Sequence, residues 1–477
     1  MADPGPAKPE SPRSTESPRS PESPRSPARR RLPAAPRIGV LARLRDRLEQ
    51  GEFLRLRSRF RRRRFFAFLA VLGPGLIAGI AGNDAGGITT YSVMGAQTGY
   101  ALLWLFPITL LILAVVQEMA ARLGVVTGQG LSDLIRDSFG VRWTAFAMLV
   151  LLVANLANTV ANFAGTSAAL EIFDVPRLVT VPVVAVAIWA LVIFASYRLL
   201  ERVFLSISLI FLTYVVAAFL VRPDWREVGE AILSPSLSVP GLPISATLLL
   251  AVAVVGTTIT PYMQFYLQSA VAEKGIDEEE LRLEQADAVV GAVWTNTVAL
   301  FIVVATAGAL FGSGIALETA GQAAEALRPV AGDLSGVLFA VGLFGASVLA
   351  ATIIPISTAY VICEAFGWES GVGKSFRDAP AFFVIYSFVL FAGAAVMLLP
   401  GLDLIGLIVA SQNLQGLLLP VVLVFMLLLV NDRRLLGRHV NGRWRNVLAV
   451  GAIGVVVVLD VALLGAGLLG AVGIDLG

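Results

Sequence analysis

Residues 79–92 read GIAGNDAGGITTYS, and the core Gly82-Asn83-Asp84-Ala85-Gly86-Gly87 interrupts a run that is otherwise apolar. Asp84 is the only carboxylate in that run, and glycines stand on both sides of it. The flanks supply the roughly 20 residues that a helix needs to cross a bilayer. A helix break at membrane depth releases backbone groups that must find partners in protein, water or an ion. Glycines permit both the break and the close approach of a ligand. Carbonyls freed at the end of the first half-helix carry the negative end of its dipole. A carboxylate beside them makes an oxygen site for a cation, and an ionisable residue inside a membrane is a functional-site hypothesis by default. The competing account is a packing break with Asp84 paired to a buried arginine. No Arg or Lys falls at midplane depth in the spans drawn below, which weighs against it.

The rest of the chain agrees with a membrane setting. Its 477 residues are 57% hydrophobic and only 15% charged, with a mean hydropathy of +0.80, whereas soluble domains carry about 25% charge. The apolar runs do not alternate as barrel strands do. The expected fold class is therefore an all-α polytopic membrane protein. Eleven spans are expected, at 66–92, 99–122, 143–171, 178–197, 201–221, 243–272, 288–312, 334–364, 379–399, 402–430 and 446–470. The single cysteine, Cys363, excludes an intramolecular disulfide framework and a thiolate metal cluster. The single histidine, His439, lies in the basic loop NDRRLLGRHVNGRWRN. No span carries an imidazole, which removes haem ligation, His metal sites and His proton relays within the membrane.

Residues 1–35 repeat Ser-Pro-Arg and lack the apolar residues of a core, so a disordered tail is expected. No secretory apolar region precedes the basic stretch. Residues 36–65 end in FLRLRSRFRRRRFF, a dense arginine cluster against the first span. A contact with anionic lipids of the cytoplasmic leaflet explains it better than nucleic-acid binding. With the N-terminus inside, inner loops beyond this segment hold thirteen Lys or Arg and outer loops only Arg177, Arg222, Arg226 and Arg328. That asymmetry supports a cytoplasmic N-terminus and places the C-terminal tail outside. Residues 274–288, KGIDEEELRLEQADA, are expected to form a short charged helix in a solvated inner linker.

A second break is expected in the sixth span, at VVGTTITPYMQFY, where Thr257, Thr258 and Thr260 precede Pro261. The two breaks lie five spans apart. Matching broken helices in two halves point to an inverted-repeat transporter with a site at the midplane. Residues 66–221 and 243–430 are the expected repeats, joined by an outer loop at 222–242, with 431–477 supplying an inner loop, an added span and the tail. Thr257 and Thr260 are three apart and are expected to share one helix face; contact with a ligand or water and back-bonding to helix carbonyls are both open. In the third span Asn155, Asn158, Thr159, Asn162 and Thr166 form one polar stripe. Interhelical packing bonds explain it slightly better than a water path does. Gln412 in SQNLQGLLLP is a neutral oxygen donor, Glu118 is placed to pair with Arg122 four residues on, and Asp460 has no evident role beyond helix packing or a lipid-facing oddity.

At these residues the sequence resembles the NRAMP family of divalent-metal transporters, which have the LeuT-like fold. GPGLIAGI, QEMAARLGVVTGQGLSDLIR, TPYMQFYLQS and SQNLQGLLLP carry the resemblance, which covers about residues 65–460. The family's first-break motif Asp-Pro-Gly-Asn stands here as Asp84-Ala85-Gly86-Gly87, and Met-Pro-His as Thr260-Pro261-Tyr262. The resemblance implies a metal site at Asp84, Gly87 in place of the asparagine, Thr260 in place of the methionine, the carbonyls of Ala81 and Thr257, and Gln412. The family's third-span acidic pair falls on Thr159 and Asn162, and its sixth-span histidine on Tyr262. A lost thioether removes discrimination in favour of softer transition metals. A lost asparagine removes an oxygen ligand and is expected to enlarge the cavity, which suits an ion that keeps its waters, such as Mg²⁺. The pattern is most similar to the NRAMP-related magnesium transporters. Loss of the histidine and both acids weighs against proton coupling.

The expected protein is thus a plasma-membrane carrier for Mg²⁺, passing Mn²⁺ as well, by uncoupled alternating access. It has no resident cofactor, and its partners are the metal and anionic lipid. It is a monomer or weak oligomer. The alternatives are a proton-coupled Mn²⁺ or Fe²⁺ importer with an atypical site and a carrier of an organic solute such as an amino acid. An enzyme or metal sensor is disfavoured, because no soluble domain and no nucleophile–base pair in the membrane is evident.

Overall fold

The computed structural model describes residues 73–194, 211–276, 278–312 and 335–471. The N-terminal tail and arginine cluster, positions 195–210 and 313–334, and the last six residues lie outside them. Nine helices among the described residues are long and apolar enough to span a membrane. The first and fifth of the expected eleven are not among these nine. The first is divided into α1 (Pro74–Ala81) and α2 (Ala85–Thr98). The fifth is described only over α7 (Leu212–Leu220). In chain order the others are α3 (Leu105–Thr127), the short helix α4 (Leu131–Phe139), α5 (Val141–Glu171), α6 (Arg177–Phe194) and the loop helix α8 (Trp225–Leu233). They continue with α9 (Ile244–Thr258), α10 (Pro261–Lys274), α11 (Leu281–Leu310), α12 (Ser335–Phe366), α13 (Pro380–Met397), α14 (Leu404–Val430) and α15 (Arg443–Ala471).

Both breaks fall where the sequence placed them. After Ala81 the chain turns at Gly82–Asn83, and Asp84 takes an extended conformation to cap α2, its carboxylate accepting from Gly87 N. A short acid at an N-cap satisfies an amide that would otherwise be orphaned. In the sixth span α9 stops at Thr258, Ile259 leaves helical geometry, and Thr260 caps α10 with Pro261 as its first residue. Proline is favoured there because that position needs no N–H. The common face expected for Thr257 and Thr260 does not exist, since they lie on opposite sides of Ile259.

The solvated linker expected at 274–288 is also corrected. The seventh span starts at Leu281 rather than 288, and Glu284 and Asp287 are buried. Asp287 Oδ2 accepts from Gly73 N (3.1 Å) and Gly75 N (2.8 Å), so it caps the start of α1. The same face brings α1 against α11 with almost no side chain between them. A Cβ on Gly79 would lie 2.5 Å from the Gly291 carbonyl oxygen. Small residues four apart are the membrane's usual means of bringing two backbones together. The second span begins at Leu105 rather than 99, because Gly99 ends α2 with φ +57° and residues 99–104 form turns.

Within 243–430, α9 and α14 also meet backbone to backbone. A Cβ on Gly256 would lie 2.2 Å from Gln412 O and 2.5 Å from Gly416 N, both backbone atoms. Gly256→Ala therefore cannot be absorbed by a rotamer change and forces the helices apart. Its expected result is loss of about 2 kcal/mol or more of stability, as overpacking of close-packed sites gives. A thermal-unfolding scan in detergent checks this, and an unshifted midpoint would refute the close approach. Glu118 pairs with Arg122 as expected (3.2 Å). Arg122 also donates to His439 O and Asn441 Oδ1, tying α3 to the loop before α15. Asp460 is buried among protein rather than facing lipid, and neither of its oxygens has a hydrogen-bond partner among the described residues.

Candidate metal site

The two breaks release equivalent carbonyls. In a continuous helix Ala85 N would donate to the Ala81 carbonyl; here it donates to Asn162 Oδ1 (3.1 Å). In the sixth span the corresponding donor to Thr257 O would be residue 261, which is proline and has none. Ala81 O and Thr257 O thus drop out of the helical ladder for two different chemical reasons. Both are positions where the sequence placed a coordinating carbonyl.

Asp84 is 1% exposed. Its Oδ1 accepts from Gly87 N (2.8 Å), and its Oδ2 accepts from Asn162 Nδ2 (3.1 Å) on α5. No arginine or lysine bonds to it among the described residues, so the packing account by ion pairing fails. Asn162 Nδ2 is also near Asn158 Oδ1 (3.2 Å), which in turn accepts from Gln412 Nε2 (3.2 Å). The tenth-span glutamine rests on the bare backbone of the first break. A Cβ on Gly86 would lie 2.0 Å from Gln412 Nε2 and 3.0 Å from Asp84 Oδ1. Gln412 Oε1 and the Thr257 hydroxyl are buried without a partner among the described residues.

Asp84, Gly87, Thr257 and Gln412 are therefore brought together around Gly86–Gly87. Ala81 closes the α1 side, and Thr260, itself buried, opens α10. One expectation does not hold. The missing side chain at Gly87 does not leave an open space, because a Cβ there would lie 3.1 Å from Gly82 O, 3.3 Å from the Tyr91 ring and 3.4 Å from Thr257 Oγ1. Tyr91 fills that volume and donates to or accepts from Thr258 Oγ1 (2.8 Å), joining α2 to α9. Sequence reasoning passed over Tyr91 and gave Thr258 no role beyond the break. The signal was present in the i, i+4 spacing of Gly87 and Tyr91, which puts both on one face of α2.

The third-span stripe packs helices, as favoured, but it also reaches the site. Asn155 Nδ2 donates to Thr358 Oγ1 on α12 (2.8 Å), and Gln415 Nε2 donates to the Ala154 carbonyl (3.0 Å). Thr159 and Thr166 turn back to their own helix. Met263 packs its thioether against Gly82, where a Cβ would lie 3.3 Å from the sulfur. Among the described residues no group of three or more His, Cys, Asp or Glu side chains converges. A lone carboxylate with neutral oxygens suits a cargo that must leave again better than a permanently held ion.

Two broken helices packed within a bundle of apolar spans define an all-helical fold of the LeuT type. The chain belongs to the natural resistance-associated macrophage protein-like (Nramp) family, whose model matches residues 75–466. It is 26% identical over 414 residues to the divalent metal cation transporter MntH of Granulibacter bethesdensis, covering 83% of this chain and 88% of that one. Its fold is similar to that of the Eremococcus coleocola manganese transporter, with TM-score 0.71, 19% identity and coverage of 86% and 89% of the two chains. A more distant likeness is to MhsT in complex with L-phenylalanine (TM-score 0.54, 16% identity, 81% of this chain and 98% of that one).

Proposed function

We propose that the protein carries divalent metal cations across the plasma membrane, Mg²⁺ first and Mn²⁺ as well, by alternating access without proton coupling. Asp84 is the charge anchor. The carbonyls of Ala81 and Thr257, the Thr260 hydroxyl, Gln412 Oε1 and the open backbone at Gly87 contact the ion or its waters. One observation supports the uncoupled reading above others: every side chain hydrogen-bonded to Asp84 is an amide, so no titratable neighbour is bonded to it to pass on a proton. The oxygen donor set, with no thioether at position 260, supports a hard ion. The Tyr91 contact means that water kept by the ion is accommodated after α2 and α9 shift, rather than in the closed arrangement.

In this reading the N-terminus and its arginine cluster lie at the anionic inner leaflet, the tail after α15 lies outside, residues 66–221 and 243–430 are the two repeats, and the chain works as a monomer or weak oligomer. An inside-negative potential contributes about 4.6 kcal/mol per 100 mV to the entry of a divalent ion, at about 2.3 per charge. A proton-coupled manganese importer is the second reading, favoured by the substrates in the relatives' names. Proteoliposomes loaded with a pH dye separate the two. The expected result is Mg²⁺ and Mn²⁺ influx driven by the potential with no change in internal pH. Acidification that follows metal entry would establish the second reading instead.

A further inference from the structure

We propose that Asn158 is the positioning residue of the metal site: its side-chain oxygen presents Gln412 to the ion and, together with its main-chain carbonyl, holds the amide that bonds Asp84. This rests on the metal site proposed above. Asn158 Oδ1 faces Asn162 Nδ2 at 3.2 Å and Gln412 Nε2 at 3.2 Å, and the Asn158 main-chain oxygen accepts from Asn162 Nδ2 as well (2.9 Å). An amide has a donor end and an acceptor end, and which end points where is set by the network around it. Because Asn158 offers an acceptor, each neighbour must turn its NH₂ toward it.

The consequences differ for the two neighbours, and both favour a cation. For Asn162, an NH₂ held in this direction also donates to Asp84 Oδ2 (3.1 Å), while its oxygen accepts from Ala85 N (3.1 Å). The hydrogen bonds to Asp84 thus come from donors, Asn162 Nδ2 and Gly87 N (2.8 Å), which leaves its oxygens facing no competing acceptor. For Gln412, committing the nitrogen to Asn158 and to Ser411 Oγ (3.0 Å) leaves Oε1 buried and without a partner among the described residues. A buried carbonyl oxygen without a donor is costly, and a metal ion relieves that cost. If Gln412 turned over, its NH₂ would face the cation and repel it.

Asn158 itself sits one turn below Asn162, fully buried on α5. Its own Nδ2 has no hydrogen-bond partner among the described residues. Helix α5 also carries Asn155 and Thr159, whose bonds go to α12 and to their own helix. Within the stripe the orienting contacts to Gln412 and Asn162 thus belong to Asn158.

The test is metal uptake by Asn158→Ala and Asn158→Asp in proteoliposomes, with Thr159→Ala as a neighbour control and Asp84→Asn as the control on the site itself. Asn158→Ala is expected to raise KM for Mn²⁺ and Mg²⁺ about tenfold, the loss of one aligned ligand at about 1.4 kcal/mol, with the maximal rate within about twofold. Asn158→Asp keeps acceptors for both amides and is expected to restore or lower KM at neutral pH. Thr159→Ala is expected to leave KM unchanged. An unchanged KM in Asn158→Ala, or an equal rise in Asn158→Asp, overturns the orienting role. Should Asn158→Ala not fold, Asn158→Asp decides alone: a raised KM overturns the role, and a retained or lowered KM supports it. If Asp84→Asn still transports, it is the metal site that fails and not the role of Asn158 within it.

Discussion

Asp84→Ala reduces Mg²⁺ and Mn²⁺ uptake to background, and Asp84→Asn does the same. The alanine variant removes the only charge bonded into the break, together with the cap on α2 that Asp84 makes to Gly87 N. The cap alone is worth about 1 kcal/mol, so some loss of stability accompanies it. The asparagine variant separates the two effects. It retains an oxygen for Gly87 N, yet its NH₂ would confront the NH₂ of Asn162, which is fixed by Asn158 and by Ala85 N. Taking away one partner of a buried charge interaction costs about 3–5 kcal/mol, a factor of a hundred or more in affinity. Uptake of either metal by the asparagine variant at more than about a tenth of the wild-type rate, under subsaturating metal, would remove Asp84 from the site.

The breaks and the acid were legible in the sequence because their signals are local. Glycines around one carboxylate, and proline after a run of threonines, act on the backbone within a few residues. Sequence spacing also paired Glu118 with Arg122. What stayed hidden depends on which helices meet. That Asp287 reaches back to Gly73 and Gly75 needs the contact of α1 with α11, more than two hundred residues apart. The charge pattern of 274–288 looks like a solvated linker because nothing local says that its last two acids are inside. Gly87 shows the same limit in reverse. A deleted side chain reads as free volume, but the ring one turn later on the same helix occupies it.

Asn162→Asp converts the site into one that exchanges a proton with the metal. The residue stands where the resemblance places one of the family's acidic pair, and its amide is 3.1 Å from Asp84 Oδ2. Two carboxylates at that distance, buried together, cannot both hold a charge, so the pair keeps one proton near neutral pH. A divalent ion entering the site supplies the missing positive charge and displaces that proton. Metal affinity in the variant is therefore expected to rise with pH through the range in which the shared proton is lost, since fewer protons then compete. Each unit of pH is worth up to about a tenfold change in KM where one proton is released. The wild-type chain, with an amide at this position, is expected to show a flatter KM over pH 6–8. Measuring metal KM at three pH values in both proteins, with the internal pH dye running, checks the argument. A variant whose KM is as flat as wild type would show that the amide at 162 is not what holds the proton out of this site.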